Sequence, residues 1–448
     1  MTAAHVFAEF IVSARPPEKA LAIARSAFLD TVGVALAGAV EPGSRIVQKL
    51  AASEASGECR IWGTPLKTSA TWAALANGAA AHALDFDDMC FVSLAHPSAP
   101  LVTTALAIGE QAATSGRAVL AAYVLGFEIE AVLGRTMNPR HYQQGWHCTS
   151  TLGTVGAAAA AAHLLKLDAE ATTHCLAIAA SEASGLKENF GTMTKPLHAG
   201  LGARNAVFAA LLAQQGFTAN EGALDGPQGF LAAMASEKPD LQTLSENLGK
   251  RWEILETGIT VKLYPSCSAT HPALDSVLDL RREHNLLANQ IESVKVHVDS
   301  LTPALLAYDR PQTGLQGKFS MPFCLAAALV YGEVGLATFE ESCIREARIQ
   351  ELLPRITMQA DASLGKDAPG LTQATVKICL RDGRTLHRRA DGARGYPEHP
   401  ASAEELDNKF LSCGRRVLSE ERLQAALAHL RRMEALSDVR QLTDSISL

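Results

Sequence analysis

The sequence predicts a mainly α fold with a smaller α/β domain, on three observations. From about residue 18 to 235, apolar residues recur at three- and four-residue spacing, punctuated by Gly and short polar clusters, as in helices that bury a face. After about residue 262 a period of two appears between helical stretches, the mark of half-buried strands. Near residue 400 the helical period returns. A chain of 448 residues exceeds one ordinary core. The expected division is an all-helical domain at 1–262 and 396–448, interrupted by an α/β domain at 263–395.

The elements follow in order. Residues 18–40, 99–137 and 151–168 read as helices rich in Ala and Gly, the last with six consecutive alanines after Gly156. Small residues let helix axes approach closely, so a compact bundle of buried helices is expected. Thr218 and Glu221 have the spacing of a capping box that starts a further helix. In the second region, Val294, Val296 and Val298 share one face of a strand. Val376, Ile378 and Leu380 do the same before an Asp382-Gly383 turn. Between the strands lie the helical patterns ALDSVLDLRREHNL, FCLAAALVYGE and TFEESCIREARIQELL, the last opened by a Thr338/Glu341 box. Strands alternating with helices indicate an α/β domain. A Ser402/Glu405 box opens the closing helical segment, whose Ala/Leu period suits a return to the first domain.

Composition narrows the function classes. Hydrophobic residues make up 48% and charged residues 19%, so a packed globular chain is expected rather than a disordered one. A net charge of −7 without Lys/Arg-rich blocks gives no footprint for nucleic acid or for an anionic membrane. No uninterrupted apolar run reaches membrane-spanning length. The nine cysteines are odd in number, scattered and never spaced as CxxC, which suggests neither a disulfide framework nor a structural zinc site. The first twenty residues lack a basic leader with an apolar core and cleavage site, and a reducing compartment, the cytoplasm, is expected.

Charge concentrates in a few Gly-bordered segments. HALDFDDMCFVSLAHPSAPL, residues 82–101, places three aspartates and two histidines among small apolar residues, where burial is costly unless the charges are paired or used. If 82–88 is helical, His82, Asp85 and Asp88 share a face and Asp87 points elsewhere. The same letters also fit a polar helix end whose aspartates cap the next element. YQQGWHCTSTLGTVG presents His147 just before the alanine helix, whose first amides can receive a carboxylate; Cys148 beside it is a thiol candidate by adjacency alone. NFGTMTKPLHAGLGARNA brings Lys195, His198 and Arg204 near glycines, a set of cations suited to a polycarboxylate. TVKLYPSCSATHPALD places Lys262, Cys267 and His271 at the border between the domains, and clefts between domains are favoured ligand sites. No GxGxxG after a strand, Walker loop, HExxH or GxSxG occurs in a supporting context. What remains suits cofactor-free proton transfer.

Five segments, HALDFDDM, AHPSAPL, GWHCTSTLGTVGAAAAAAHLLKLD, FGTMTKPLHAGLGARNAVFAALLAQQGFTA and KLYPSCSATHPALDSVL, resemble the MmgE/PrpD family. That family includes 2-methylcitrate dehydratase, cis-aconitate decarboxylase and iminodisuccinate epimerase. The resemblance implies a large all-helical MmgE/PrpD-type domain plus an α/β lid domain, a homodimer, and no metal or organic cofactor. Carried over by position, Asp85, His96, His147 and Lys195 match the family's acid/base and substrate-binding positions, and Lys262 matches a lysine near the hinge to the lid. His198, Arg204, Cys267 and Met89 are the further substrate-binding candidates. Three departures are visible: Met89 where Thr commonly follows DFDD, Cys267 where decarboxylase-type members place a histidine, and Phe323 where many have tyrosine. They weaken a decarboxylase assignment, and the surroundings of His96-Pro97 are poorer in Trp and Glu than in dehydratase-type members.

The shared chemistry is proton transfer at a carbon next to a carboxylate, where developing enolate charge must be stabilised while a base acts. In the expected roles Lys195, Lys262 and Arg204 grip carboxylates, His147 and His96 serve as acid and base, and Asp85 orients or tunes one of them. The expected function is a cofactor-independent lyase acting on a small di- or tricarboxylate, with dehydration or hydration first. An epimerase of an aspartate-derived dicarboxylate is second and a cis-aconitate-type decarboxylase third. A catalytically silent, dimeric ligand-binding protein is the rival from another class; a bare scaffold has no need of Asp85, His96, His147, Lys195 and Lys262 together.

Overall fold

The structure, a computed structural model, describes residues 1–235, 246–300, 302–365 and 372–448. The chain divides into two compact units, Met1–Val261 with Ser402–Leu448, and Lys262–Ala401.

The first unit is a bundle of helices. Its principal members are α1 (Ala3–Ser13), α2 (Glu18–Gly38), α3 (Pro42–Glu54), α4 (Ala70–His82), α5 (Ser98–Gln111), α6 (Gly116–Met137), α7 (Cys148–Leu164), α8 (Ala169–Glu182) and α9 (Thr194–Gln214). Helix α7 is buried on every face, Ala157 to Ala162 included, as expected of a helix without a polar side. Helices α4 and α9 touch backbone to backbone through a glycine pair. A Cβ on Gly78 would lie 2.8 Å from the Cα of Gly200, and one on Gly200 only 2.3 Å from the Leu75 carbonyl oxygen. Because Gly78 stands four residues before the end of α4 and Gly200 near the start of α9, this crossing brings His82 within electrostatic reach of Lys195.

Helix α2 alone among the described residues is long and apolar enough to cross a membrane, by length and composition; its apolar stretch is interrupted by Lys19, Arg25 and Asp30, and most of it is buried in the bundle. It carries Asp30, whose buried carboxylate pairs with the Lys409 ammonium at 2.6 Å. Lys409 belongs to α12 (Ala403–Gly414), the helix that follows the second unit and packs on α2. The Ser402/Glu405 box forms in full at its start, with both reciprocal bonds present.

The second unit holds a four-stranded mixed sheet of β1 (Ile291–Val298), β2 (Ile356–Ala360), β3 (Ala374–Leu380) and β4 (Thr385–Ala390), in the order β2-β1-β3-β4. Strands β1 and β2 run parallel; the other neighbours are antiparallel. Val294, Val296, Val298, Val376 and Ile378 are buried in one core with the residues of α10 (His271–His284) and α11 (Met321–Tyr331), as the period-two reading expects.

Two expected capping boxes do not form. Residues Glu221–Ala223 make a single 3-10 turn capped by the Asn220 side chain, in place of a helix capped by Thr218. The Thr338 hydroxyl accepts from the Gly335 N–H at 3.1 Å within another 3-10 turn, and two short helices, Glu341–Ile344 and Ala347–Leu352, follow it. In both places a local side-chain-to-backbone bond wins over helix initiation.

Candidate active site

The candidate site starts where α4 stops. Asp85 adopts a positive φ of 52°, a conformation Asp tolerates better than most side chains, so the chain turns back after His82. The expected helical face of His82, Asp85 and Asp88 is therefore not formed. Asp87, expected to point elsewhere, faces the histidines: Nδ1–H of His82 donates to its Oδ2 at 2.7 Å, and Nδ1 of His96 lies 3.4 Å from the same oxygen. Asp88 turns away and accepts from the Ser98 N–H at 3.2 Å and from the Ser98 hydroxyl, at the start of α5. It has the capping role that the polar-helix-end alternative assigned to these aspartates.

Main-chain pairing then places His96. Met89 and Thr260 exchange two N–H···O bonds of 2.8 Å, and the Cys90 N–H donates to Ala95 O at 2.9 Å, closing a short loop. The N–H of His96 donates to the Thr149 hydroxyl at 3.0 Å, tying it to the first turn of α7. His147 is the residue before that turn. Its N–H donates to Gly185 O at 3.0 Å. Gly185 has φ of +125°, and a side chain there would come within 3.1 Å of Ser150 and 3.4 Å of the His198 ring; only glycine lets that backbone in.

Helix α9 supplies the other wall. The Lys195 ammonium forms an ion pair with the Asp85 carboxylate and lies 5.1 Å from the Phe190 ring centroid. Nδ1 of His147 and Nδ1 of His198 share one proton-donor bond at 3.1 Å. The His82 ring stands edge-on to His96 with centroids 4.5 Å apart, and stacks on His147 at 5.5 Å. Four imidazoles, two carboxylates and one ammonium thus meet within the first unit.

Burial sets their protonation. It holds the His82 imidazole down to about 4 against the pull of Asp87. His147 lies well below its ordinary value through burial, reinforced by His82 and Lys195, and His198 is lowered by burial and then by Lys195. For Asp87, burial alone would raise the carboxyl, but His82 and His96 hold it well below the usual range. Near neutrality the site therefore offers the neutral imidazoles of His82, His147 and His198 beside the charged Asp87 carboxylate. Nε2 of His147 is buried without a hydrogen-bond partner among the described residues, which costs about 1–3 kcal/mol.

Of the candidates read from sequence, Asp85, His96, His147, Lys195 and His198 come together. Arg204 does not. It lies nine residues past Lys195 on α9, roughly half a turn round the helix, and its guanidinium sits 5.7 Å over the Trp72 ring. Lys262 and Cys267 belong to the second unit, where the Cys267 N–H donates to Lys318 O at 2.9 Å. Met89 is held through its backbone as described above. Cys148 is a poor nucleophile candidate: it is buried, and burial pushes its thiol up to about 12. His82 and Asp87 are the members that sequence spacing placed wrongly, and Phe190 was not singled out at all.

His82, Asp87 and His96 each present one ligand-type atom within 4.8 Å of the others, the one such group of metal-ligand type among the described residues. The His82–Asp87 separation of 2.7 Å is that of a hydrogen bond. Two ligands about 2.0–2.1 Å from a tetrahedral ion would stand on the order of 3.3 Å apart, so the geometry fits hydrogen bonding better than a shared ion.

Residues 5–242 match the profile of the MmgE/PrpD N-terminal domain, and residues 264–433 that of the MmgE/PrpD C-terminal domain. The chain is 28% identical to cis-aconitate decarboxylase of Mus musculus over 432 residues, covering 93% of this chain and 86% of the relative. It is 27% identical to the cis-aconitate decarboxylase-like protein oryM of Aspergillus oryzae, over 96% of this chain and 94% of the relative. Cis-aconitate decarboxylase of Aspergillus terreus is 26% identical, over 96% and 92%. With both domain profiles matched in order, and the first alone spanning more than half of the chain, this protein belongs to the MmgE/PrpD family.

Proposed function

We propose that the protein is a cofactor-independent lyase that moves a proton at the carbon next to a carboxylate of a small di- or tricarboxylate. The observation that carries this reading is the meeting of neutral histidines with the Lys195–Asp85 ion pair in one buried cluster. His147, which burial keeps neutral, and His96 serve as the acid/base pair. A positioned imidazole contributes typically 10²–10⁴-fold to such a step. Lys195 holds a substrate carboxylate and offsets enolate charge as it develops, with Lys262 as a second cation in the role the family resemblance gives it.

Elimination or addition of water is the first reading, because it uses one base on carbon and one acid on the leaving hydroxyl, and the cluster offers two histidines for these tasks. Decarboxylation is the second, favoured by the names of the relatives. A homodimer in a reducing compartment belongs to the same proposal, supported by the family resemblance and by the scattered spacing of the nine cysteines. The test is separate replacement by His147→Gln and Lys195→Gln. Each is expected to lower turnover about 10²-fold or more with the fold retained by circular dichroism. Wild-type turnover in both variants would remove the proposed roles.

A further inference from the structure

The proposed chemistry leaves His82 and Asp87 without a task, although both side chains are fully buried at the centre of the cluster. We infer that Asp87 and His82 are positioning residues that hold His96 in the Nδ1–H tautomer, so that its Nε2 is the atom offered for proton transfer. The inference rests on the proton-transfer reading above and adds which nitrogen works and what fixes it.

An ionised carboxylate only accepts hydrogen bonds, and the Asp85 carboxylate is already paired with the Lys195 ammonium, so Asp87 is the nearer and less neutralised acceptor for the His96 ring and draws its hydrogen to Nδ1. Oδ2 of Asp87 faces Nδ1 of His82 at 2.7 Å and Nδ1 of His96 at 3.4 Å. The first is a hydrogen bond and the second a longer charge contact, which a hydrogen on Nδ1 of His96 makes favourable. A neutral ring with hydrogen on Nδ1 has a bare Nε2, and Nε2 of His96 points toward the Lys195–Asp85 pair, 3.8 Å from Asp85 Oδ1. The His96 backbone is pinned from the other side by Thr149.

His82 does two things in this arrangement. Its own bond fixes the direction of the Asp87 carboxylate, and its ring braces His96 edge-on and His147 face-on. Neither task touches a reacting atom, so both residues act through His96 and His147. The logic is that of a buried aspartate setting a histidine's tautomer in hydrolytic triads, where the amide replacement leaves geometry intact and costs about 10⁴-fold in kcat.

The test uses the full chain labelled with ¹⁵N-histidine, its ring signals assigned with His82→Gln and His96→Gln. The expected result is the Nδ1–H tautomer for both rings in the wild type, and conversion of His96 toward the Nε2–H form in Asp87→Asn, whose amide can donate to Nδ1. In kinetics Asp87→Asn is expected to lose about 10²–10⁴-fold in kcat, with KM within about threefold. His82→Asn, whose amide still donates to Asp87, is expected to keep at least tenfold more activity than His82→Phe.

An Nε2–H or doubly protonated His96 in the wild type would overturn the inference, as would unchanged kcat in Asp87→Asn. Stoichiometric zinc binding, lost in Asp87→Asn, would also overturn it in favour of a metal site. If Asp87→Asn fails to fold, the wild-type tautomer still decides the matter. The tautomer needs no turnover, so a wild type inert toward every polycarboxylate contradicts the proposed function separately from this inference.

Discussion

Glu130, on α6, is a carboxyl that burial keeps protonated: its value is pushed up to about 8, with the Ser93 hydroxyl opposing. Asp88 rises to about 8 as well, through burial and then the neighbouring Asp30. A carboxyl whose folded value lies above its unfolded one means that the folded state holds the extra proton. Stability then falls as pH rises from about 4.5 toward 8 and levels off above. Glu130→Gln is expected to flatten part of that decline, by about 1 kcal/mol or more between pH 6 and 8. Denaturant unfolding across that range checks it, and parallel curves for both proteins would show that Glu130 is already ionised in the fold. The residues of the cluster were partly legible in sequence. Asp85, His96, His147, Lys195 and His198 stood out as charge beside Gly or Pro in apolar surroundings. Asp87 was misplaced because a helical reading of 82–88 gives it the wrong face, and a single left-handed residue, Asp85, reverses that face.

Helix pairing turns these residues into a site. The Gly78–Gly200 contact allows no Cβ on either side, so Gly78→Ala is expected to destabilise the protein by about 1–3 kcal/mol through overpacking. Because the same crossing sets the distance from His82 to Lys195, turnover is expected to fall more steeply than stability explains. Thermal melts beside kinetics separate the two effects, and a variant with wild-type Tm and turnover would show that the helices can part at no cost. Helix periodicity and the alternating valines were sufficient to read the elements in advance. Terminal signals were less faithful. Ser402/Glu405 caps a long helix, whereas Thr218 precedes and Thr338 lies within a 3-10 turn in which nearby backbone bonds compete. The single stretch 99–137 is two helices because Ser115 caps a new start, its hydroxyl accepting from the Ala118 N–H.

The whole chain supplies the site from three distant segments, 82–96, 147–150 and 185–198, and this joining is what a single sequence does not display. The return of the chain after the second unit is part of it: Lys409 on α12 pairs with Asp30 on α2 and also donates to the Phe86 carbonyl at 2.8 Å, fixing the segment that carries Asp85 and Asp87. Composition and period displayed the mainly α architecture, and five quoted segments displayed the family. Extended dialysis against EDTA is expected to leave turnover within about twofold, as the hydrogen-bond spacing of His82 and Asp87 implies. Activity lost on chelation and restored by a divalent ion would place that ion on His82, Asp87 and His96. The most direct measurement is proton NMR in D₂O of the purified chain with citrate-like, aconitate-like and aspartate-derived acids, following each substrate's C–H signals next to a carboxylate. Enzyme-dependent deuterium exchange together with loss or gain of water is the expected result, with release of CO₂ identifying the second reading. A folded wild-type protein that exchanges no such proton and converts none of these acids would contradict the proton-transfer function.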